Sequence, residues 1–321
     1  MDSKKKYELK SKSRSLVVNI IKFLFLAGMC YLFLFPVIYL VVSAIQDPAT
    51  ANDPAIVWIP KHLSLANFKN AIEELNYLGS LGLTMFITVF GVAATLASCS
   101  MVGYGFARFK FFEKNIAFMF VIALIIIPPQ TTTISTFLNF RFFDLGGIFK
   151  LFAKIGIGQG YVKLTGSPVT MIIPALFASG IRAGLAIYIF RQFFLGQPKE
   201  LEEAAKIDGC SAFGTFVRVM LPLATPAIIT VSVLGSVWYW NDSFYTSLFF
   251  DATQRPLAAG LNLLRETMSD GNAAAHLGYD TYQVKGMLAA GSLLCIIPII
   301  IFYLVVQRKF TESIERSGIV G

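Results

Sequence analysis

The sequence has few of the residues from which enzyme active sites and metal centres are built. Only 14% of its 321 residues are charged, and it contains two histidines and four cysteines. It has no Walker spacing and no nucleophile paired with a base in a known motif. Cys30, Cys99 and Cys295 fall inside apolar runs and Cys210 in a polar stretch, without metal-ligand spacing. These absences argue against a catalytic function, a metal site and a disulfide framework.

Apolar residues make up 55% of the chain. That share is too high for a soluble domain and is typical of a protein that crosses a membrane several times. The net charge is +8, and much of it lies beside the apolar runs. This placement is expected for cytoplasmic loops and argues against a nucleic-acid-binding surface. Composition therefore predicts an all-α integral membrane protein.

Six apolar runs are long enough to span a bilayer as helices. We expect these helices near residues 23–45, 81–106, 116–138, 168–190, 221–239 and 286–306. Pro128 and Pro129 are expected to kink or break the third. With six spans, both basic termini, the 107–115 turn and the 191–220 loop lie on one side, which the distribution of Lys and Arg predicts to be cytoplasmic.

This count divides the chain into five parts, with external and cytoplasmic regions alternating. They are a cytoplasmic N-terminal segment (1–22), a first transmembrane helix (23–45), an external loop (46–80), a core of five spans (81–306) and a cytoplasmic tail (307–321). Within the core, external segments are expected at 139–166 and 241–285. The lone His276 of the second segment is expected at the surface and not as a metal ligand.

A polar stretch between the fourth and fifth apolar runs has the pattern of a short helical hairpin. Pro198 favours the start of a helix, because its missing N–H is not needed in a first turn. Acidic residues follow at the positive end of that helix, and Gly209 favours its termination. Ser211 is a candidate N-cap for a second helix. We therefore expect a helix-turn-helix outside the hydrocarbon, with Pro222 at the start of the next span.

The residues of this hairpin resemble a family motif. Glu203-Ala204-Ala205, Gly209 and Leu221-Pro222, at this spacing, resemble the EAA loop of binding-protein-dependent ABC transporter permeases. The family usually has Ile where this chain has Val219. The pattern of residue types, their spacing and the flanking apolar runs agree, so the hairpin is identified as an EAA loop.

The flanks of the hairpin extend the resemblance to a subgroup of these permeases. Arg191-Gln192-Phe193-Phe194 precedes the loop, and Trp240-Asn241-Asp242 follows the next span. Both resemble the MalG-like carbohydrate permeases, and the resemblance covers residues 80–321. It implies the type I ABC importer fold, with six transmembrane helices and a cytoplasmic EAA coupling helix-turn-helix.

The resemblance also implies a function and a set of partners. The chain would be a permease subunit that forms the translocation pathway for a carbohydrate delivered by an extracellular solute-binding protein. ATP and Mg²⁺ would be bound by two separate ATP-binding subunits, so this chain is expected to bind no cofactor and not to be an enzyme. A second permease subunit, as a heterodimer, completes the assembly. The expected location is a bacterial or archaeal plasma membrane.

Two groups of candidate site residues follow from the motif and from the apolar runs. The ATPase-coupling residues implied by the family are Glu203, Ala204, Ala205, Asp208, Gly209, Leu221 and Pro222. Glu203 is expected to offer a carboxylate to the ATPase, and the alanines to permit close approach. Arg182, Trp240 and Asn241 are candidates for the substrate pathway. A charge as deep in a span as Arg182 usually faces a cavity or a partner, and aromatic faces such as that of Trp240 pack on the apolar faces of sugar rings.

Two alternative functions remain open at the level of sequence. The chain could be an ABC permease for a non-sugar solute such as a peptide, against which the two MalG-like flanks argue. It could instead be an ATP-independent transporter, which would need no EAA loop and would often contain an inverted repeat. No convincing repeat is visible in the sequence.

Overall fold

A computed structural model describes residues 2–50, 62–155, 158–251, 254–269 and 281–318. Parts of five predicted segments lie outside the described residues: residue 1 of the N-terminal segment, 51–61 of the first external loop, 156–157 of the external segment 139–166, 252–253 and 270–280 of the second long loop, with His276, and 319–321 of the tail. Most described residues are helical, and the strand-like pairings among them are two isolated bridges. This agrees with the predicted all-α class.

The structure describes fifteen α-helices. They are α1 (Asp2–Ile45), α2 (Ala66–Glu74), α3 (Tyr77–Arg108), α4 (Lys114–Ile126), α5 (Thr133–Arg141), α6 (Ile148–Lys154), α7 (Val169–Leu176), α8 (Ala183–Leu195), α9 (Glu200–Ile207), α10 (Ala212–Thr215), α11 (Leu221–Leu223), α12 (Thr225–Trp240), α13 (Phe244–Phe249), α14 (Leu257–Ser269) and α15 (Thr281–Gly318). A 3₁₀ turn covers Pro129–Thr132, and a π-helical turn covers Phe216–Met220.

Three described helical stretches are long and apolar enough to cross a bilayer: Leu16–Ile45, Tyr77–Arg108 and Gln283–Gln307. Two bent pairs would add two spans if each pair counts as one. They are Lys114–Ile126 with Pro129–Arg141, bent by 101°, and Ala212–Leu223 with Thr225–Trp240, bent by 75°. The expected break at Pro128-Pro129 is confirmed, and the count of six spans stays a prediction.

The fourth apolar run, expected as a span over 168–190, does not form one continuous helix. The helix is interrupted over 177–182, between α7 and α8. Within the interruption Ala178 and Arg182 have φ angles of 53° and 52°, in the left-handed region that no α-helix uses. Pro174 also removes a backbone donor from the last turn of α7. The apolar run alone did not reveal this break, because Ser179, Gly180 and Arg182 are too few polar or flexible residues to end a span of this length.

The chain divides into two compact units, residues 1–74 with 265–294 and residues 75–264 with 295–321. In the first unit, the amide of Asn67 fastens the C-terminal end of α1. It donates to the carbonyl oxygens of Ser43, Ala44 and Gln46 at 3.4, 3.2 and 2.8 Å. These are carbonyls at a helix end, which lack partners within the helix. Asn67 is 1% exposed, so its amide is committed to this structural role.

The second unit has two buried cores along α3, a helix of 32 residues that is about 48 Å long. One core surrounds Tyr104, near the C-terminal end of α3, and contains buried side chains of α8. The other surrounds Ile87, nearer the N-terminal end, and contains Tyr239 and Phe249. The two ends of α3 are therefore anchored in different sets of elements.

Candidate functional site: the coupling segment

The predicted helical hairpin is present, and it packs beside the C-terminal end of α3. Its first helix, α9, begins two residues after Pro198. Gly209 has a φ angle of +82°, which favours glycine, and the chain reverses there. The Ser211 hydroxyl accepts a hydrogen bond from the Gly214 N–H at 3.1 Å and caps α10. The local predictions for Gly209 and Ser211 are confirmed, and we call residues 199–223 the coupling segment.

The connection from the coupling segment to the next long helix differs from the expected span over 221–239. A π-helical turn and α11 precede α12, which begins at Thr225. Leu221 is half-buried and Pro222 is exposed, at the start of α11. π-helical turns often occur at functional sites. The 75° bend near Ala224 turns the chain from the coupling segment into α12.

The two faces of α9 have different surroundings. Glu202 and Ala205 are 9% and 6% exposed and face this chain. Glu203, Ala204 and Asp208 are exposed. Of the two motif alanines, Ala204 is therefore the one on the open face. Two apolar side chains that sequence reasoning missed are also exposed in this segment, Ile207 at 86% and Phe213 at 65%.

A buried ion pair between Arg108 and Glu202 holds α9 against the end of α3. Arg108 Nε lies 2.9 Å from Glu202 Oε1, and the side chains are 5% and 12% exposed. The Nε–H is not aimed at that oxygen, so the contact is an ion pair more than a hydrogen bond. Arg108 Nη2 also donates to the Gln197 carbonyl oxygen at 2.7 Å. Tyr104 lies beside this pair and interacts with the Glu202 carboxylate.

An aromatic cluster next to this ion pair joins the same elements. The ring of Tyr104 lies 5.5 Å from that of Phe109, 5.3 Å from that of Phe194 and 5.1 Å from that of Phe216, between centroids. Aromatic pairs at these distances add about 0.5–1.5 kcal/mol beyond the area that they bury. The ends of α3 and α8 are thus packed directly against the π-helical turn of the coupling segment.

Sequence reasoning missed both Arg108 and Tyr104 as parts of this site. Arg108 was assigned to a cytoplasmic turn, as one of several cations after an apolar run. The sequence offers one signal for Arg108, which is its position. It directly follows a span rich in small residues, on the same side as the acidic loop that contains the glutamates of α9. That signal did not identify which of the three glutamates of α9 would pair with it.

The MalG-like flank before the loop is structural in this chain. Phe190 and Phe194 of α8 are fully buried in the core around Tyr104. The guanidinium carbon of Arg191 lies 4.0 Å above the centroid of the Phe118 ring of α4. This distance is within the range of a cation–π interaction. The flank therefore fixes α8 against α4 and against the core.

The three residues expected in the substrate pathway differ in exposure: two are exposed and one is buried. Arg182 is exposed in the interruption before α8, with its guanidinium carbon 5.6 Å from the Trp238 ring centroid. Asn241 is exposed just after α12. Trp240 is 7% exposed, and its indole N–H donates to the Cys295 carbonyl oxygen at 2.9 Å. Trp240 thus packs α12 against α15, and Trp238 is the aromatic residue beside Arg182.

Asp242, the last residue of the Trp-Asn-Asp flank, organises the turn after α12. Its Oδ2 atom accepts from the Thr246 N–H at 2.9 Å. Burial raises the pKa of this carboxyl above its ordinary value, and hydrogen bonds from Thr246 and Tyr245 oppose that rise. Burial, and then the nearby Asp242, raise the pKa of Tyr245 as well. The flank is therefore built into the fold on both sides of the exposed Asn241.

The comparison with a family model decides the family. The model described as "Binding-protein-dependent transport system inner membrane component" matches residues 99–315, which include the whole coupling segment. The chain belongs to this family of transport permeases. A permease of this family is a membrane component of a transporter and not its catalytic subunit, and the resemblance stated from the sequence is confirmed.

Curated relatives of this permease are carbohydrate ABC permeases. The arabinooligosaccharides transport system permease protein AraQ of Halalkalibacterium halodurans is 28% identical, over 92% of this chain and 94% of its own length. The probable starch degradation products transport system permease protein AmyC of Thermoanaerobacterium thermosulfurigenes is 29% identical, over 81% and 82%. The trehalose transport system permease protein SugB of Mycobacterium tuberculosis is 25% identical, over 90% and 93%.

Solved ABC importers share the fold of this permease. One structure, of a bacterial transporter that imports the acidic polysaccharide alginate, matches with a TM-score of 0.68 and 21% identity, over 92% of this chain and 96% of that one. Another, of the alginate transporter with a pentasaccharide-bound periplasmic protein, matches with a TM-score of 0.62 and 12% identity, over 92% and 94%. At these identities the match demonstrates the fold of an importer permease.

Proposed function

We propose that this permease is one membrane subunit of an ATP-driven importer that forms the pathway for a carbohydrate delivered by an extracellular binding protein. The carbohydrate class is supported by relatives named for arabinooligosaccharides, starch degradation products and trehalose. A second permease subunit and two ATP-binding subunits complete the assembly. ATP and Mg²⁺ are bound by those subunits.

The observation that carries this proposal is the two-faced coupling segment. Its inner face is fixed to α3 by a buried ion pair, while its outer face carries charged and large apolar side chains in the open. Ile207 and Phe213 are exposed in the same segment as the exposed Glu203 carboxylate. Large apolar side chains exposed beside charges are expected of a surface that another protein covers. The ATP-binding subunit is the partner that we assign to it.

The fixed inner face explains how motion of that partner would reach the pathway. The coupling segment continues directly into α8 on one side and α12 on the other. Through Arg108 and Tyr104 it is also joined to α3, to which it has no direct chain connection. When the ATP-binding subunits close, α3, α8 and α12 would move with the segment and tilt together. ATP biases this equilibrium only by its different affinity for the two states of the assembly.

Each motif residue has a distinct role in this mechanism. Glu203 offers its carboxylate to the partner, and Ala204 allows close approach on the open face. Ala205 allows α9 to lie close to its own bundle. Gly209 makes the left-handed turn, and Leu221 and Pro222 begin the return toward α12. Asp208, which is exposed, is assigned to pairing with the partner.

The proposed topology has six crossings, with both termini and the coupling segment in the cytoplasm. It counts α4 with its bent continuation and α7 with α8 as one crossing each, besides α1, α3, α12 and α15. Arg182 and Asn241 then lie toward the external side, where they are proposed to meet the solute. A peptide importer is the alternative, and the sugar relatives argue against it.

The test is transport by the assembled complex. We expect an affinity-tagged chain to co-purify with an ATPase pair and a second six-span protein. Glu203→Lys and Gly209→Asp should abolish ATP-dependent sugar uptake, because one reverses a charge at the docking surface and the other strains the turn. Both variants should still insert and remain soluble in detergent as folded protein.

Glu73→Lys is the matched control, since it makes the same charge reversal at an exposed position of α2. It should leave uptake unchanged. Wild-type uptake by the Glu203 and Gly209 variants would overturn the coupling role. Purification of the chain alone, from cells that express its neighbouring genes, would overturn the importer assignment.

A further inference from the structure

A basic cleft lies in the segment between α5 and α7, at the end of α3 away from the coupling segment. The two ends of this excursion, which is described except for residues 156–157, are paired with each other. Phe143 and Val162 exchange backbone hydrogen bonds at 3.1 and 2.9 Å, and the Leu164 N–H donates to the Phe140 carbonyl at 2.9 Å. The Phe140 ring packs on that of Phe249, at 5.2 Å, in the core around Ile87. The excursion is thus anchored at this end of α3.

The helix α6 forms one wall of the cleft, and Asp144 fixes it. Asp144 Oδ1 accepts from the Phe149 N–H at 2.9 Å, and its Oδ2 lies 3.5 Å from Lys150 Nζ. Lys150 and Lys154 are one helical turn apart, so they project from the same face of α6. Gly160, with a φ of +76°, lies close against α6, where an added Cβ would be 3.2 Å from the Ala153 Cβ. The helix α6, which carries both lysines, is therefore held in position by these contacts.

The cleft has a volume of about 610 Å³. This is within the range of small-ligand sites, about 300–1,000 Å³. Besides the two lysines, it is lined by Gln159 and by the rings of Phe142 and Tyr161, whose centroids are 5.1 Å apart in an edge-to-face pair. Aromatic rings pack on the apolar faces of sugars, and an amide both donates to and accepts from sugar hydroxyls.

The charge around the cleft is unbalanced. Residues 139–166 contain four cations, Arg141, Lys150, Lys154 and Lys163, and one carboxylate, Asp144. Asp144 is already engaged by the backbone of α6 and by Lys150. No described carboxylate pairs with Lys154. The cleft therefore carries a net positive charge that can bind an anionic group.

We infer that this cleft is a binding site for an anionic saccharide, a sugar unit that carries a carboxylate or a phosphate. The lysines would bind the anionic group, the rings of Phe142 and Tyr161 would contact a sugar face, and Gln159 would bind hydroxyls. The inference rests on the proposed function, because the cleft meets an incoming sugar only if this end of α3 is external. It narrows the substrate from carbohydrate to acidic or phosphorylated carbohydrate.

The experiment compares matched sugars on the complete transporter in nanodiscs. Equilibrium binding is measured for digalacturonate against neutral galactobiose, and for galactose 6-phosphate against galactose. If only digalacturonate binds more tightly than its neutral analogue, the site recognises a carboxylate. If only galactose 6-phosphate does, the site recognises a phosphate. We expect an anionic probe to bind about tenfold more tightly than its neutral analogue at low salt, because the charges of Lys150 and Lys154 together exceed that of the single carboxylate, Asp144.

The variant Lys150→Gln with Lys154→Gln should lose this preference and leave binding of the neutral sugar unchanged. The Lys150 side chain is 76% exposed, so its replacement leaves the fold intact. Lys163→Gln is the matched control, because it removes a cation of the same segment that does not line the cleft. It should keep the preference.

Three results would overturn the inference: equal binding of anionic and neutral sugars, a preference that survives the double variant, and an equal loss in the Lys163 control. A salt-sensitive loss of binding-protein capture in the double variant, without any effect on free sugars, would also overturn it, in favour of protein docking. In each case ATP-dependent uptake of a neutral sugar would still support the proposed function. Absence of ATP-dependent uptake of any sugar would instead count against that function.

Discussion

Arg108 is the residue on which the attachment of the coupling segment depends most. It is nearly buried, and it binds both the Glu202 carboxylate and the Gln197 carbonyl. A buried ion pair contributes little net stability compared with a well-packed apolar pair, but removing one partner leaves the other charge buried and unpaired. The value of the pair therefore lies in fixing one position of α9 against α3.

At this scale we predict that Arg108→Ala destabilises the fold by about 3–5 kcal/mol, because Glu202 loses its counterion in a buried site. Arg108→Lys should lose less, since a charge remains although the contact to Gln197 is weakened. The double variant of Arg108→Ala with Glu202→Ala should be less destabilised than the sum of the single changes. Unfolding in mild detergent, followed by tryptophan fluorescence, measures these differences.

If the role of Arg108 were only structural, its replacement would not change sugar uptake per ATP hydrolysed in folded protein. The Arg108→Lys variant is therefore also assayed at a temperature where it is folded. We expect its ATP hydrolysis in the assembled transporter to persist while sugar uptake per ATP falls. Lys110→Ala, which removes an exposed cation two residues away, is the control and should behave as wild type. If Arg108→Ala and Lys110→Ala are equally stable, the ion pair does not hold the segment.

The packing of α3 against α8 is decided by a glycine and not by a charge. A Cβ atom on Gly103 would lie 2.6 Å from Phe190 Cβ and 3.1 Å from the Ile187 carbonyl oxygen. Both neighbours belong to the body of α8 and have no room to rotate away. Small residues allow helices to approach closely in a membrane, where dispersion contacts replace the hydrophobic effect. Gly103 is therefore what sets the separation of α3 and α8.

For these two helices we predict that Gly103→Ala lowers stability by about 1–3 kcal/mol, the usual cost of forcing extra atoms into a packed core. Gly105→Ala is the matched control, two residues along the same helix. Its Cβ would meet only Phe109 Cδ2, at 4.0 Å, so no loss is expected. Thermal unfolding of the two variants side by side measures the difference, and equal midpoints would contradict the close approach.

For the whole molecule, the ends of α3 are expected on opposite sides of the membrane. The coupling segment packs at the C-terminal end, and the basic cleft lies in an excursion anchored toward the other end. In the proposed topology the first lies in the cytoplasm and the second outside. Such an arrangement would let one protein be driven from inside and receive a solute from outside.

Labelling of single cysteines tests this arrangement. In a background with Cys30, Cys99 and Cys295 replaced by alanine, we expect Cys210 to react with an impermeant maleimide only after permeabilisation. Lys154→Cys, in a chain that also lacks Cys210, should react in intact spheroplasts. Labelling of both positions from the same side would exclude the proposed topology, and labelling of Cys210 from outside would leave the coupling segment without an ATPase to contact.

The sequence by itself determined the membrane class, the position of the coupling segment and its local geometry. Those conclusions rest on neighbouring residues: the length of apolar runs, the missing N–H groups of Pro128 and Pro129, the glycine that a left-handed turn favours at 209, and the cap at Ser211. Such signals act within a few residues along the chain, so no knowledge of packing was needed to find them.

Only the tertiary structure decided which of these residues face the interior. It turned Ala205 and Trp240 inward, paired Arg108 with Glu202 among three candidate glutamates, and interrupted the run at 177–182. Each of these outcomes depends on contacts between residues that are far apart in sequence. An apolar run predicts that a segment is buried in lipid or protein, but which neighbour it meets is fixed only when the helices pack.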